Sequence, residues 1–358
     1  MNAAASGGRL KRLFSAQDMS LGAPWKRILE FSLPMLIGNL AQQMYNTADS
    51  VIVGIYVGDN ALAAVGSASP ILNLLLALFV GIATGAGILV SQYFGAKERD
   101  HLANVIGNCM TLTLLASVII MVVGPLVTRP LLVMLNTPAS ILDWCTDYLN
   151  IFFLGIVGFA AYNILSGVLR GLGDSLSALV FLIVATVLNI GLDLWFVAGL
   201  HMGVAGVALA TIIAQAISAV LCCLKLFRMH DVFTLRAAHL RPVRQYVGKI
   251  IRLGVPSGVT QAIFSMAMLV VQSLTNSFGE AVIACNVIVM RVDGFAMMPN
   301  FTFGQAMTTF TGQNVGAGKP ERVRAGAKQG TLMALACAVA LTLCILLFGR
   351  SLMSIFTS

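Results

Sequence analysis

Nine stretches of the chain run apolar for twenty or more residues with only scattered polar positions: 31–56, 62–91, 104–126, 147–169, 176–198, 203–226, 251–276, 281–310 and 327–348. A helix rising 1.5 Å per residue needs about 20 such residues to cross a hydrocarbon layer roughly 30 Å thick. No stretch shows the alternating ten-residue segments of a membrane β-barrel. The pattern therefore predicts an all-α polytopic membrane protein with nine transmembrane helices.

The pattern also repeats. "VSQYFGAKERDHL" at 90–102 aligns with "TGQNVGAGKPERV" at 311–323, pairing Gln92, Gly95 and Ala96 with Gln313, Gly316 and Ala317. The same spacing pairs Arg129 with Arg350 and Leu131 with Leu352, and Pro34 and Pro256 match one residue further apart. Both copies start on the same side, which predicts a parallel repeat about an axis along the membrane normal. The first copy holds six spans, and the second reaches only its third by Ser358. Two six-helix lobes with the second incomplete, nine of an expected twelve helices, is the architecture this implies. By the same arithmetic the sequence is expected to be truncated by roughly 90–100 residues, or three spans. The domains expected are a cytoplasmic segment 1–27, a first lobe 28–228, a cytoplasmic linker 229–250 and a partial second lobe 251–358.

Composition fits this class: 58% of the 358 residues are hydrophobic and 10% charged, against roughly 25% charged in soluble domains. The net charge of +8 does not point to nucleic acid. Nearly all Lys and Arg fall in segments that topology puts on one side: the N-terminal segment, 97–99, Arg170, 225–252 and 319–328. The positive-inside rule makes that side, with the N-terminus, cytoplasmic, and anionic membrane lipids are the natural partners of the charge. A multi-pass protein of the cell membrane, acting as a monomer, is expected. The seven cysteines show no CxxC spacing, so neither a disulfide framework nor a zinc site is indicated.

Against this background three intramembrane acids stand out. Asp49 lies in "MYNTADSVIVGIYVG", Asp193 in "VLNIGLDLWFVAGLHMG" and Asp293 in "VIVMRVDGFAMMP". An ionised carboxylate at mid-membrane costs about 2.5–3.5 kcal/mol on insertion scales. Asp49 lies nine residues before the turn at Gly58 and Asp193 six before Gly199, so both sit roughly 9–14 Å below the outer surface. Asn189 is one turn from Asp193 on the same face, and Thr211 returns to similar depth eight residues after Gly203. Two carboxylates, an amide and a hydroxyl can thus converge at one level. Oxygen ligands of this kind suit a hard cation such as Na⁺, and two desolvated carboxylates can instead share a proton. A buried network that only locks helices is the plainer alternative. Acids without a basic partner more often mark an ion pathway. Asp293 has Arg291 two residues away and lies at another depth, so an ion pair is the simpler expectation there.

At these residues the chain resembles the multidrug and toxin extrusion (MATE) family. "MYNTADSVIVG" looks like its first-helix motif, "LRGLGDSLSAL" its loop between spans four and five, and "LNIGLDLWFVAGLHMGVAGVALAT" its fifth-to-sixth helix signature. The resemblance spans about 25–358. It implies a V-shaped two-lobed antiporter that exports amphipathic organic cations, drugs or toxins, in exchange for Na⁺ or H⁺, with no cofactor. It implies a cation-binding site at the positions Asp49, Asn189, Asp193 and Thr211, the same four the depth argument brings together. It further suggests that Gln42, Tyr45 and Asn163 face the substrate cavity, with Asp293 a weaker candidate. Some members carry an acid in span seven; here that span offers Gln261 and Gln272 but no carboxylate.

Pro34 interrupts the first span and is a candidate hinge, bending as Asp49 changes occupancy. The glycines at 81, 85 and 87 predict close helix contact. Methionines in spans seven and eight are expected to face lipid or pack more often than to line a substrate surface. A flippase for lipid-linked or lipid-like substrates is the alternative function. It calls for basic residues in the cavity, and only Arg291 falls inside a predicted span. An enzyme is not expected: there is no HExxH, no GxSxG and no His within a span.

Overall fold

In lipid, backbone N–H and C=O groups have no water to turn to, so an apolar chain must satisfy them within helices. The computed structural model, which describes residues 15–354 apart from 136, 277 and 279, bears this out with ten α-helices. They are α1 (Pro24–Tyr56), α2 (Asp59–Gly95), α3 (Arg99–Met134), α4 (Ala139–Leu154), α5 (Ile156–Gly171), α6 (Ser175–Asp193), α7 (Gly203–Phe227), α8 (Arg244–Asn276), α9 (Glu280–Gly316) and α10 (Pro320–Ser354). Each of the nine predicted spans falls on one of these helices, except that the fourth is two. α4 and α5 bend by 56° at Gly155. Among the described residues, α3, Ser175–Gly199, α7 and Pro320–Gly349 are each long and apolar enough to cross a membrane, and the α4–α5 pair makes a fifth.

Around an apolar core, the distribution of side chains departs from that of a soluble protein at both extremes. Ser91, Asn108, Ser117, Asn189, Asp193, Gln313 and Asn314 are fully buried, while Ile55, Leu126, Leu346 and Leu347 are more than 70% exposed. Apolar side chains outside and polar ones inside are what a lipid solvent selects.

α2 is the central element, packed on α5, α8 and α9. Gly81 and Gly85 meet Gly254 of α8 backbone to backbone, and Gly87 meets Gly167 of α5, as the small-residue pattern predicts. At the ends of α2 and α9 the repeated residues meet each other. Gly95 lies against the Gln313 backbone, and Gly316 lies against the Gln92 backbone. No side chain other than hydrogen fits at either place.

The basic end of the bundle is more ordered than a solvated tail and linker would be. Residues 1–14 of the expected N-terminal segment lie outside the described residues. Beyond them the chain straps across α9 and α10. The Met19 N–H donates to Gln313 Oε1 at 2.8 Å, Lys319 Nζ to the Ser20 carbonyl at 2.9 Å, and Arg322 to the carbonyls of Met19 and Gly22 at 3.1 and 2.7 Å. The expected linker 229–250 docks too: a 3₁₀ turn, Ala237–Leu240, packs on α3. Thr111 Oγ1 donates to the Leu240 carbonyl at 2.6 Å, the Val243 N–H donates to Asn108 Oδ1 at 2.6 Å, and α8 has already begun by Arg244.

Candidate ion and substrate site

The motif "LRGLGDSLSAL" sets the entry to α6. The chain leaves α5 through Gly173, whose φ of +83° suits glycine, with Gln17 of the strap packed against it. The buried Asp174 then caps α6, accepting from the Ser177 N–H at 2.9 Å and from Ser177 Oγ at 2.7 Å, with Lys225 Nζ of α7 at 3.6 Å. α6 so aimed carries Asn189 and Asp193 inward at its far end, and both are fully buried. Immediately after Asp193 the helix widens into a π turn, Leu194–Gly199. Such turns interrupt regular pairing and recur at functional sites.

Three helices meet here. Asp49 and Tyr45 project from one face of α1, a turn apart, and Thr211 and Gln215 from one face of α7. Tyr45 Oη donates to Thr211 Oγ1 at 3.2 Å, and Asn189 Nδ2 donates to the same oxygen at 3.5 Å. Asp49 lies close enough to Asp193 and Asn189 to interact with both. The four residues expected to form the ion site thus form one cluster.

The chemistry of that cluster is one-sided. Asp49 Oδ1, both carboxylate oxygens of Asp193, Asn189 Oδ1 and Gln215 Oε1 are buried and receive no hydrogen bond among the described residues. Each buried acceptor left without a donor costs about 1–3 kcal/mol. A cluster of acceptors around two acids has the ligand chemistry of a hard cation or of a shared proton.

Beside it lies a cavity of about 520 Å³, lined by Gln42, Tyr45, Asp49, Asn163, Thr211 and Gln215, with Tyr148, Phe152, Phe159 and Tyr162 supplying aromatic wall. Phe152 and Phe159 pack with ring centroids 5.4 Å apart. Asn189 and Asp193 stand behind this lining, so Asp49 and Thr211 connect cavity and cluster. Gln42, Tyr45 and Asn163 are in the lining as expected. Asp293 is exposed on α9 and is not in it; the side chain of Arg291, its expected partner, lies outside the described residues. Pro34 sits within α1, which continues unbroken past it, and lines a separate small cavity with Asn39 and Arg170. Sequence reasoning missed Gln215 and the aromatic wall. Gln215 was findable, being one turn beyond Thr211.

One sequence-based placement needs correction. Arg170, counted among the cytoplasmic loop charges, is the penultimate residue of α5 and lines two internal cavities. The apolar run ends at residue 169, but the helix carries on. Arg291 is therefore not the sole basic residue available to a cavity.

Comparison with known proteins places the fold in a family. The MatE family model matches residues 34–195 and 256–358, most of the chain. The chain is 29% identical over 348 residues to the probable multidrug resistance protein YoeA of Bacillus subtilis (strain 168), covering 95% of this chain and 75% of that protein. It is 32% identical over 308 residues to the probable multidrug resistance protein YpnP of the same organism, covering 86% and 69%. Among solved structures it resembles the outward-facing conformation of a multidrug resistance MATE family transporter of the MOP superfamily, with a TM-score of 0.88 and 26% identity over 94% of this chain and 75% of that one. The all-helical chain described here, with its buried acids beside an aromatic-walled cavity, belongs to the MatE family of multi-pass membrane transporters.

Proposed function

We propose that the protein is a secondary antiporter that exports amphipathic organic cations in exchange for inward Na⁺ or H⁺, coupled through Asp49, Asp193, Asn189 and Thr211. The observation that carries this reading is the cluster of buried oxygens with no donor. A cation or proton supplies what they lack, and Asp49 shares its position between that cluster and the cavity wall. Aromatic and apolar side chains hold the body of an organic cation, and the carboxylate attracts its charge. Ion and drug then compete for one negative charge, and alternating access converts the inward ion gradient into export.

Several features support the finer architecture. The reciprocal contacts Gly95–Gln313 and Gly316–Gln92 are what a parallel two-lobed repeat would make across its axis. The ten helices, with α4 and α5 taken as one broken span, fit nine spans, and the concentration of Lys and Arg at the strap end supports a cytoplasmic N-terminus in the cell membrane. Pro34 removes an N–H from the α1 ladder, leaving a carbonyl free for the helix to bend about as Asp49 changes occupancy. The relatives named above carry the name probable multidrug resistance protein, which favours drug export over lipid flipping.

The test is ethidium efflux from cells lacking their own pumps, with Asp49→Asn, Asp193→Asn and Pro34→Ala compared with the wild type. Runs with only a Na⁺ gradient and only a pH gradient name the ion. Loss of efflux in both acid variants is the expected result, and normal efflux in both would move coupling elsewhere. Undiminished transport by Pro34→Ala would remove the bend from the mechanism.

A further inference from the structure

We infer that the cavity at Arg170 is a second binding subsite, one that takes an oxyanion, a carboxylate or a phosphate. Arg170 Nη1 donates to Ser166 Oγ at 2.9 Å, and this is the one hydrogen bond its guanidinium makes among the described residues. No carboxylate pairs with it among the described residues. The acid nearest in sequence, Asp174, is committed to Ser177 and Lys225. The guanidinium faces a cavity of about 130 Å³ between α1, α2, α5 and α9, to which Gln305 and Thr309 bring an amide and a hydroxyl. The C-terminal dipole of α5 accounts for part of the charge, since a cation in a last helical turn gains about 0.3–1 kcal/mol. It leaves the remaining N–H groups without a protein acceptor among the described residues. A charged side chain in the last turn of a membrane helix, without a counter-charge among the described residues and beside a cavity that carries an amide and a hydroxyl, is a site for a ligand of opposite sign.

The chemistry of the donors narrows that ligand. A guanidinium presents a planar fork that matches the two oxygens of a carboxylate or phosphate. The cavity has about a quarter of the volume of the one beside Asp49, enough for an oxyanion. Asn163 lines both this cavity and the one beside Asp49. Arg170 follows it by seven residues on α5, about 10 Å along the helix. Positive and negative subsites therefore lie along one helix, and the oxyanion can belong either to a solute or to a lipid headgroup.

The experiment is isothermal titration of the purified chain in neutral maltoside detergent with three probes: benzoate, inorganic phosphate and a short-chain phosphatidic acid. At least one binds at one site per chain. Arg170→Gln weakens it by about tenfold or more, and Arg170→Lys restores part of the affinity by returning the charge without the fork. Gln305→Leu and Thr309→Val, which keep the charge, each weaken binding several-fold and stand in should Arg170→Gln not fold. Tighter binding of phosphatidic acid than of phosphate identifies a lipid source, and the reverse or a preference for benzoate identifies a solute. The inference is overturned if no probe binds, or if binding is the same in all the variants. It does not depend on the coupling site: Asp193→Asn leaves oxyanion binding as in the wild type, so failure of either reading is seen separately.

Discussion

Replacing Asp193 by Asn should make the protein more stable while stopping it from working. Asp193 is fully buried, and neither of its oxygens nor Asp49 Oδ1 receives a hydrogen bond among the described residues. Asparagine has the same shape but exchanges one acceptor for an amide with two N–H donors. One of them can reach Asp49, so the substitution removes one unsatisfied acceptor and satisfies another. At about 1–3 kcal/mol for each buried group left without a partner, a net gain of about 2 kcal/mol is a conservative figure. For a chain of this size roughly 2 °C accompanies each kcal/mol, so the melting temperature should rise by about 4 °C. The assay is thermal unfolding of the purified protein in detergent at neutral pH without Na⁺, run beside ethidium efflux. A structural network would respond in the opposite way, losing stability when one member is changed. A lower melting temperature would therefore refute the donor shortage, and normal efflux would refute its use in coupling.

Three other outcomes follow from the packing. Gly95→Val drives methyl groups into the Gln313 backbone and should cost about 1–3 kcal/mol or more, read as lost monodisperse protein in size-exclusion chromatography. Gly316→Val should behave alike, and a clear difference between the two would contradict the reciprocal contact. Arg322→Ala removes the bonds to Met19, Gly22 and Asn314 and should speed amide exchange in residues 17–22 while sparing α6 and α7; unchanged exchange would mean the strap is held by its other bonds. Asp174→Ala removes the α6 cap and a buried ion-pair partner, a loss of about 2 kcal/mol or more in thermal unfolding, and a wild-type melting curve would refute that role.

The helices and the cluster of buried acids were legible in the sequence for the same reason. A helix has a fixed rise, so counting residues from a turn gives depth, and residues four apart share a face. That arithmetic puts Asp49, Asn189, Asp193 and Thr211 at one depth, where they can converge. It fails wherever tertiary contact decides. The bend at Gly155, where α7 brings Ile212 against the backbone, carries no apolar-run signal. Neither does the π turn after Asp193, which changes hydrogen-bond register without changing composition. Helices also outrun their apolar runs: α3 begins five residues before its run and α8 seven. Arg170 was misplaced for this reason. The docked linker was illegible because its partners, Asn108 and Thr111, look like ordinary polar positions of a span.

The contact between Gly95 and Gln313, with its counterpart between Gly316 and Gln92, has a mechanical consequence. Bare backbone touching bare backbone has no interleaved side chains to unlock, so two helices can tilt about such a point with little shear. It sits at one extreme of α2 and α9, each of which runs 36 residues onward, about 54 Å. A fulcrum there acts on long levers: a tilt of about 10° at the glycines sweeps the opposite tips through about 9 Å. In such a tilt the end holding the strap would hardly move, whereas the end nearer Asp49 and Asp193 would be displaced by more than the width of a drug's aromatic ring.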